Sequence, residues 1–327
     1  MEVITEKPFD AVAESGVQGC LNAVTDPRRF FLYQRQFSSG LLADVTLNGN
    51  GSGGRTLAFC VERGPDTTGV CWCEPDEWAS RHFGMLIMRM GLVINLNETR
   101  EVLTRLVAAV IQAARDRLKP SLISVSVDAT AFHVIDALHQ CGFSQMDLKN
   151  TFLINRGAVR NIDRQRERTE AFEYGRHMTL VQELVNRVEF PSRFSRDPAF
   201  SGDDVRRMYQ IWVEKLLSAP EDERAARVYL KNGQVISLVC MARLSELEDL
   251  TEKVVFGNTI AISIEQTRRY GSHCLVDATR DALSRADQAE CTLSAQNQGA
   301  IRAVERAGYR FSGSMVALHL HCDAEVS

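Results

Sequence analysis

A chain of 327 residues with a formal charge of -4, 45% hydrophobic and 24% charged residues carries enough apolar material for a sizeable core and for more than one domain. That balance excludes a disordered, fibrous or membrane-embedded protein, and the weak negative charge disfavours nucleic acid and anionic membrane as partners. No apolar run reaches eighteen residues and Met1 to Asp10 lacks the basic-then-apolar layout of a secretory signal, so a cytoplasmic location is expected. The nine cysteines are scattered, odd in number and without a Cys-x-x-Cys pair, which suits reduced thiols better than a disulfide framework.

In chain order, Asn48 to Gly54 is a glycine-rich turn with no following Lys-Ser or Lys-Thr, so it is no Walker phosphate loop. Cys71-Trp72-Cys73 would put both thiols on one face of a strand, where two small buried hydrophobes are the ordinary outcome and a redox or metal role the alternative. Asn95-Leu96-Asn97-Glu98-Thr99 is a capping sequence for a helix over 98–118, whose Val102, Leu103, Leu106, Val107, Val110 and Ile111 form a buried stripe ended by Pro120. A strand over 122–127, a helix over 132–141 closed by Gly142-Phe143 and a strand over 147–154 complete the first half.

Arg156 to Arg176 interleaves Arg160, Arg164, Arg166 and Arg168 with Asp163 and Glu167 and reads as a solvated linker or helix, with a substrate role as the alternative. Ser192-Arg193-Phe194-Ser195-Arg196-Asp197-Pro198 precedes a helix carrying Tyr209 and Trp212. A strand over 260–264 then enters Arg268-Arg269-Tyr270-Gly271-Ser272-His273, read as a tight basic loop before a helix from Cys274. A helix start after a basic loop suits a pyrophosphate, because its first N–H groups are unpaired and carry the positive end of the dipole. A strand over 291–295, Asn297-Gln298-Gly299-Ala300, a short helix ending at Ala307-Gly308-Tyr309 and a last strand with His319 and His321 beside Cys322 close the chain. Structural zinc at that last trio is the alternative to plain packing, and no metal is expected.

The same order of helix, strand, helix, Gly-aromatic and strand occurs in both halves, so the expected fold is α/β, as two tandem mixed-sheet modules flanked by helices, spanning 1–157 and 158–327. Arg268, Gly271, Asn297, Ala300 and Gly308 together resemble the acyl-CoA-binding core of the GNAT acyltransferase superfamily, whose loop reads Gln or Arg, two residues, Gly, one residue, then Gly or Ala. His273 stands where that family has a small residue, and Val304 where many members carry a tyrosine that protonates the departing thiolate. The resemblance implies an acyl-CoA co-substrate, most simply acetyl-CoA, held by Ile262, Ser263, Ile264, Arg268, Arg269, Gly271, Ser272, His273 and Asn297. The first module lacks the basic loop and is expected to be degenerate, without an acyl-CoA site.

Ser192 to Pro198 and the Trp78-Ala79-Ser80-Arg81-His82-Phe83-Gly84-Met85 stretch resemble the dTDP-fucosamine acetyltransferases, which implies a small polar amine acceptor such as a nucleotide-linked amino sugar. Arg193 and Arg196 could hold its anionic part while Tyr209 or Trp212 stacks on a ring, or all four could simply pack. Glu265, His319 and Tyr309 are the catalytic candidates, the first two as base and Tyr309 as a replacement acid, with His321, Tyr270, His273 or water as alternatives. Other readings keep the fold but use a carrier-protein thioester or an amino-acid-derived amine, or make the chain a non-catalytic acyl-CoA-binding protein; a homodimer is left open.

Overall fold

A computed structural model describes residues 2–6, 55–63, 66–94, 99–160, 169–245, 253–264 and 268–322. Asn48 to Gly54, Asn95 to Glu98, Asp163 to Arg168 and Glu265 lie outside the described residues. Chain order begins β1 (Glu2–Glu6), β2 (Leu57–Arg63), β3 (Asp66–Pro75), α1 (Glu77–Phe83), β4 (Ile87–Ile94), α2 (Arg100–Arg117), β5 (Leu122–Asp128), α3 (Phe132–Gln140) and β6 (Ser144–Asn155). It continues with β7 (Glu170–Ala171), α4 (Tyr174–Asn186), α5 (Arg193–Arg196), α6 (Gly202–Leu217), β8 (Arg224–Lys231), β9 (Gln234–Arg243) and β10 (Val255–Ser263). Last come α7 (Arg268–Arg285), β11 (Gln288–Ser294), α8 (Gln298–Ala307) and β12 (Arg310–His321).

The chain forms two compact units, one of Met1–Asp147 with Ser314–Ser327 and the other of Leu148–Gly313, whereas the sequence reading placed a single boundary between 157 and 158. Within the first unit the strands run β1-β2-β3-β4-β5-β12, and within the second β7-β8-β9-β10-β11-β6. Both follow one rule. Three antiparallel pairings lead to a parallel one, β4 with β5 or β10 with β11, and an antiparallel strand closes the sheet. The closing strands are exchanged: β12 joins β5 through Met315 to His321, while β6 joins β11 through Lys149 to Asn155.

Local chemistry sets the element ends. Thr99 caps α2 by accepting the Val102 N–H at 3.4 Å, and the expected stripe from Val102 to Ile111 is buried along its inner face. Asn297 caps α8 in the same way, taking the Ala300 N–H at 3.1 Å. Gly308 ends α8 at φ +105°, and a Cβ there would meet the Ala158 carbonyl oxygen at 2.7 Å, so both conformation and space require glycine. Cys71 and Cys73 share the inner face of β3, and burial pushes both thiols well up, which leaves them protonated packing groups. Among the described residues no cluster of three or more His, Cys, Asp or Glu is placed to hold a metal, and no helix is long and apolar enough to cross a membrane.

One expectation is overturned near the site. Arg268 to His273 is not a loop ahead of the helix but its first turns, since α7 starts at Arg268 rather than Cys274. A single glycine costs a helix only about 1 kcal/mol relative to alanine, which tertiary packing readily offsets.

Because β6 supplies the partner of Gln288 through Ser294, the fragment 158–327 should lack a strand that the second unit needs. Expressed alone, it is expected to show no cooperative unfolding transition and to aggregate through the bared edge of β11, whereas the full chain unfolds cooperatively; chemical denaturation followed by circular dichroism checks this.

Candidate functional site

In the second unit, the parallel ladder between β10 and β11 joins Val255 to Gln288 and Phe256 to Ala289 and extends no further. A register shift between Gly257 and Ile260 marks a bulge on the β9 side, after which β10 keeps its pairing with β9 from Ile260 to Ser263. A bulge increases local twist and bends its strand, which carries β10 away from β11. The vertex of the resulting V is tied by Thr259, whose hydroxyl donates to the Glu290 carbonyl at 2.7 Å and accepts from the Cys291 thiol at 3.5 Å. Beyond it opens a cleft of about 1190 Å³ lined by Thr259, Ala261, Ile262 and Ser263 of β10, Cys291 and Leu293 of β11, and the first turns of α7 and α8.

Helix α7 lies unusually close to this strand. A Cβ on Gly271 would come within 2.5 Å of Ser263 Oγ and 3.7 Å of Ser237 Oγ, and the two serine hydroxyls share a 2.7 Å hydrogen bond beneath it. Gly271 therefore serves the contact between helix and strand, the third role that glycines play at such junctions besides tight turning and ligand approach. The N–H groups at the start of α7 are thereby brought to the C-terminal end of β10, where an anionic ligand would be favoured. Ser272 and His273 follow in the same helix, half-buried. Ile264 donates its N–H to Ile236 O at 3.2 Å and prolongs the β9 pairing.

Opposite, the segment between α4 and α6, with the start of α6, supplies a second wall. Arg187, Glu189, Phe190, Arg196, Phe200 and Arg206 line it, three guanidinium groups against one carboxylate. Arg206 also pairs with Asp203 at 2.8 Å. Arg196 reaches Gln296 with an Nε to Oε1 hydrogen bond of 3.1 Å, bridging this wall to the entry of α8. A capping box fixes the short α5: Ser192 and Ser195 each bond the other's backbone N–H, at 3.2 and 2.9 Å.

The remaining expected residues fall elsewhere. Arg193 stacks its guanidinium over Phe194, 4.7 Å from the ring centroid, and is not among the cleft-lining residues. Tyr209 stacks on Phe190 with ring centroids 3.9 Å apart, and Trp212 packs with it against the core between α4, α6 and the sheet. Both stand behind the wall and stiffen it. His319 is buried on β12 opposite Ser124, in the first unit, while the cleft belongs to the second.

Tyr309 lies in the core against α7, and burial is the main force pushing its phenol well above the ordinary range. Its hydroxyl contacts Thr279 Oγ1 at 2.7 Å, and Thr279 gives its own proton to the Leu275 carbonyl at 2.7 Å. The Tyr309 hydroxyl, which also donates to Met241 Sδ at 3.9 Å, is thus engaged inside the core, and Tyr309 is not among the cleft-lining residues. Val304, at the position where the resemblance expects an acid, does line the cleft.

Thr259, Cys291, Glu189, Phe190 and Gln296 were missed by sequence reasoning. Nothing in the sequence marks them, because their convergence depends on where β10 leaves β11.

The first unit offers a contrast. Its parallel ladder runs from Ile87 with Leu122 to Met90 with Val125, and the indole of Trp72, buried on β3, lies directly over Gly91 at the next position. The face of β4 just beyond that ladder is thus covered by the protein's own side chain.

No protein-family model and no curated protein matches the sequence. Solved structures do match in fold. A GCN5-related N-acetyltransferase from Sphaerobacter thermophilus superposes with a TM-score of 0.58 at 14% identity, covering 100% of this chain and 97% of that one. A tandem GNAT protein from the clavulanic acid biosynthesis pathway, solved without AcCoA, gives 0.54 at 13% identity over 99% of this chain and 100% of that one. A GNAT-family acetyltransferase from Colwellia psychrerythraea gives 0.50 at 10% identity over 98% and 99%. The fold is therefore that of tandem GNAT proteins, with a mixed sheet and flanking helices in each module.

Gly271→Ala would improve helix propensity yet press a methyl group into Ser263. We expect the clash to win, with a net loss of about 1–3 kcal/mol in denaturant unfolding, and Ser263→Gly in the same chain to recover part of it.

Proposed function

We propose that the second unit is an acyl-CoA-dependent N-acyltransferase, most simply an acetyltransferase, acting on the amine of a small anionic metabolite. The observation that carries this reading is the parting of the parallel strands β10 and β11 with the N-terminus of α7 placed at the open end. A strand that has left one ladder partner presents a row of backbone groups to the gap. Such a row suits the amides of a pantetheine chain, and the start of α7, with Arg268 and Arg269 in its first turn, suits a diphosphate. Asn297 contributes by capping α8 rather than by a free side chain. The first unit, with Trp72 over Gly91, is read as having no acyl-CoA site.

Transfer requires a neutral amine beside the thioester carbonyl, donors for the developing oxyanion and a proton for the leaving sulfur. Arg187, Arg196 and Arg206 supply positive potential on the acceptor wall, and the aromatic ring of Phe190, backed by Tyr209, offers a flat apolar surface. An amine that also bears phosphate or carboxylate fits this wall, and a nucleotide-linked amino sugar is one such molecule. Glu189, the carboxylate lining the same wall, is the group this reading assigns to accept the amine's proton directly or through water.

Titration with acetyl-CoA followed by thermal unfolding tests the donor site: a ligand at a hundred times its Kd stabilises by about 2.7 kcal/mol. The shift should disappear in Arg268→Ala/Arg269→Ala, and equal shifts in both proteins would sink the assignment. For the acceptor, Arg196→Glu is expected to raise the acceptor KM by about tenfold or more, one charge-assisted contact being worth 1.5–3 kcal/mol, with the acetyl-CoA KM unchanged. A panel of amines that yields no thiol release from acetyl-CoA, despite a clear thermal shift, would favour the non-catalytic reading.

A further inference from the structure

We propose that the thiol of Cys291 protonates the departing CoA thiolate, taking the part for which Val304 has no proton. The inference rests on the acyltransferase reading of the cleft. Cys291 lies on β11 next to the vertex where β10 and β11 part, lines the cleft, and packs in the same cluster as Val304. Both residues thus line one cleft, and Cys291, 1% exposed, brings a group that can give up a proton.

The proton inventory around it is informative. Thr259 donates to the Glu290 carbonyl, so its oxygen is an acceptor for the Cys291 S–H. Tyr309 also contacts Cys291 through its hydroxyl, in a contact that favours the protonated phenol. Cys291 is thus held with its S–H on Thr259, and turning it about a single bond redirects it towards the cleft.

Chemically the match is close. Donor and acceptor are then the same kind of group, a thiol giving its proton to a thiolate. In the reaction the amine nitrogen forms its bond to the acyl carbon, the carbon–sulfur bond breaks with its electron pair moving to the CoA sulfur, and that sulfur takes the Cys291 proton. The proton lost by the nitrogen passes through water in the cleft, or through Glu189, to the Cys291 thiolate. The sum is amine plus acyl-CoA giving amide plus CoA thiol, with Cys291 returned unchanged.

Cys291→Ser keeps the size of the side chain but offers a far weaker acid, and Cys291→Ala offers none. Thiol release from acetyl-CoA would be measured across pH, with hydroxylamine or the amine found by the acceptor panel. Both variants are expected to lose about a hundredfold or more in kcat, the usual worth of a general acid, while acetyl-CoA still shifts their unfolding as in the wild type. The wild-type kcat should fall at alkaline pH as the thiol ionises, and that limb should be missing from Cys291→Ser. A serine variant with undiminished kcat, or one that keeps the alkaline limb, overturns the proposal. So does an acetyl group found on Cys291 by mass spectrometry after incubation with acetyl-CoA alone, which would make the thiol a nucleophile. A wild type that neither binds nor cleaves acetyl-CoA would instead bring down the acyltransferase reading itself.

Discussion

Backbone groups that leave one hydrogen-bond ladder must find other partners, and the separation of β10 from β11 after Phe256 and Ala289 sets that demand along a whole edge of the second unit. The protein meets it in part with Thr259, whose hydroxyl takes the Glu290 carbonyl at the vertex. Farther out the strands diverge around a cleft. The bulge in β10 and the near approach of α7 through Gly271 and Ser263 both serve this geometry, one by turning the strand aside and the other by bringing a helix N-terminus to its end.

The two modules share a strand pattern and differ in what fills the parting of their parallel pair. In the second, small or short side chains leave space, and the aromatic residues stand back: Phe190 is braced by Tyr209, and Phe200 meets Phe194 edge to face with centroids 5.3 Å apart. In the first, Trp72 lies across Gly91. An indole buries a large apolar area, so once it occupies such a gap, removing it to admit a ligand would cost several kcal/mol. The exchange of β6 and β12 makes each module dependent on the full chain.

Polar groups in the second module divide along the same line. Tyr309 has a titratable hydroxyl, yet it is buried in the core against Thr279 and Met241. Cys291, a residue usually read as a small hydrophobe, lines the cleft instead.

Helical stripes such as Val102 to Ile111, caps such as Thr99 and Asn297, and the αL stop at Gly308 were fixed by local physics, because periodicity and capping depend on residues within a turn or two. The repeated order of elements followed from the same signals, and with it the α/β class and the tandem layout. Tertiary structure alone decided that α7 begins at Arg268, that His319 belongs to the first unit, that Arg193 and Tyr209 do not line the cleft, and that the closing strands are exchanged. Each of these depends on pairings between residues far apart in the chain, and the energy of such pairings lies in register and packing that no local window of sequence contains.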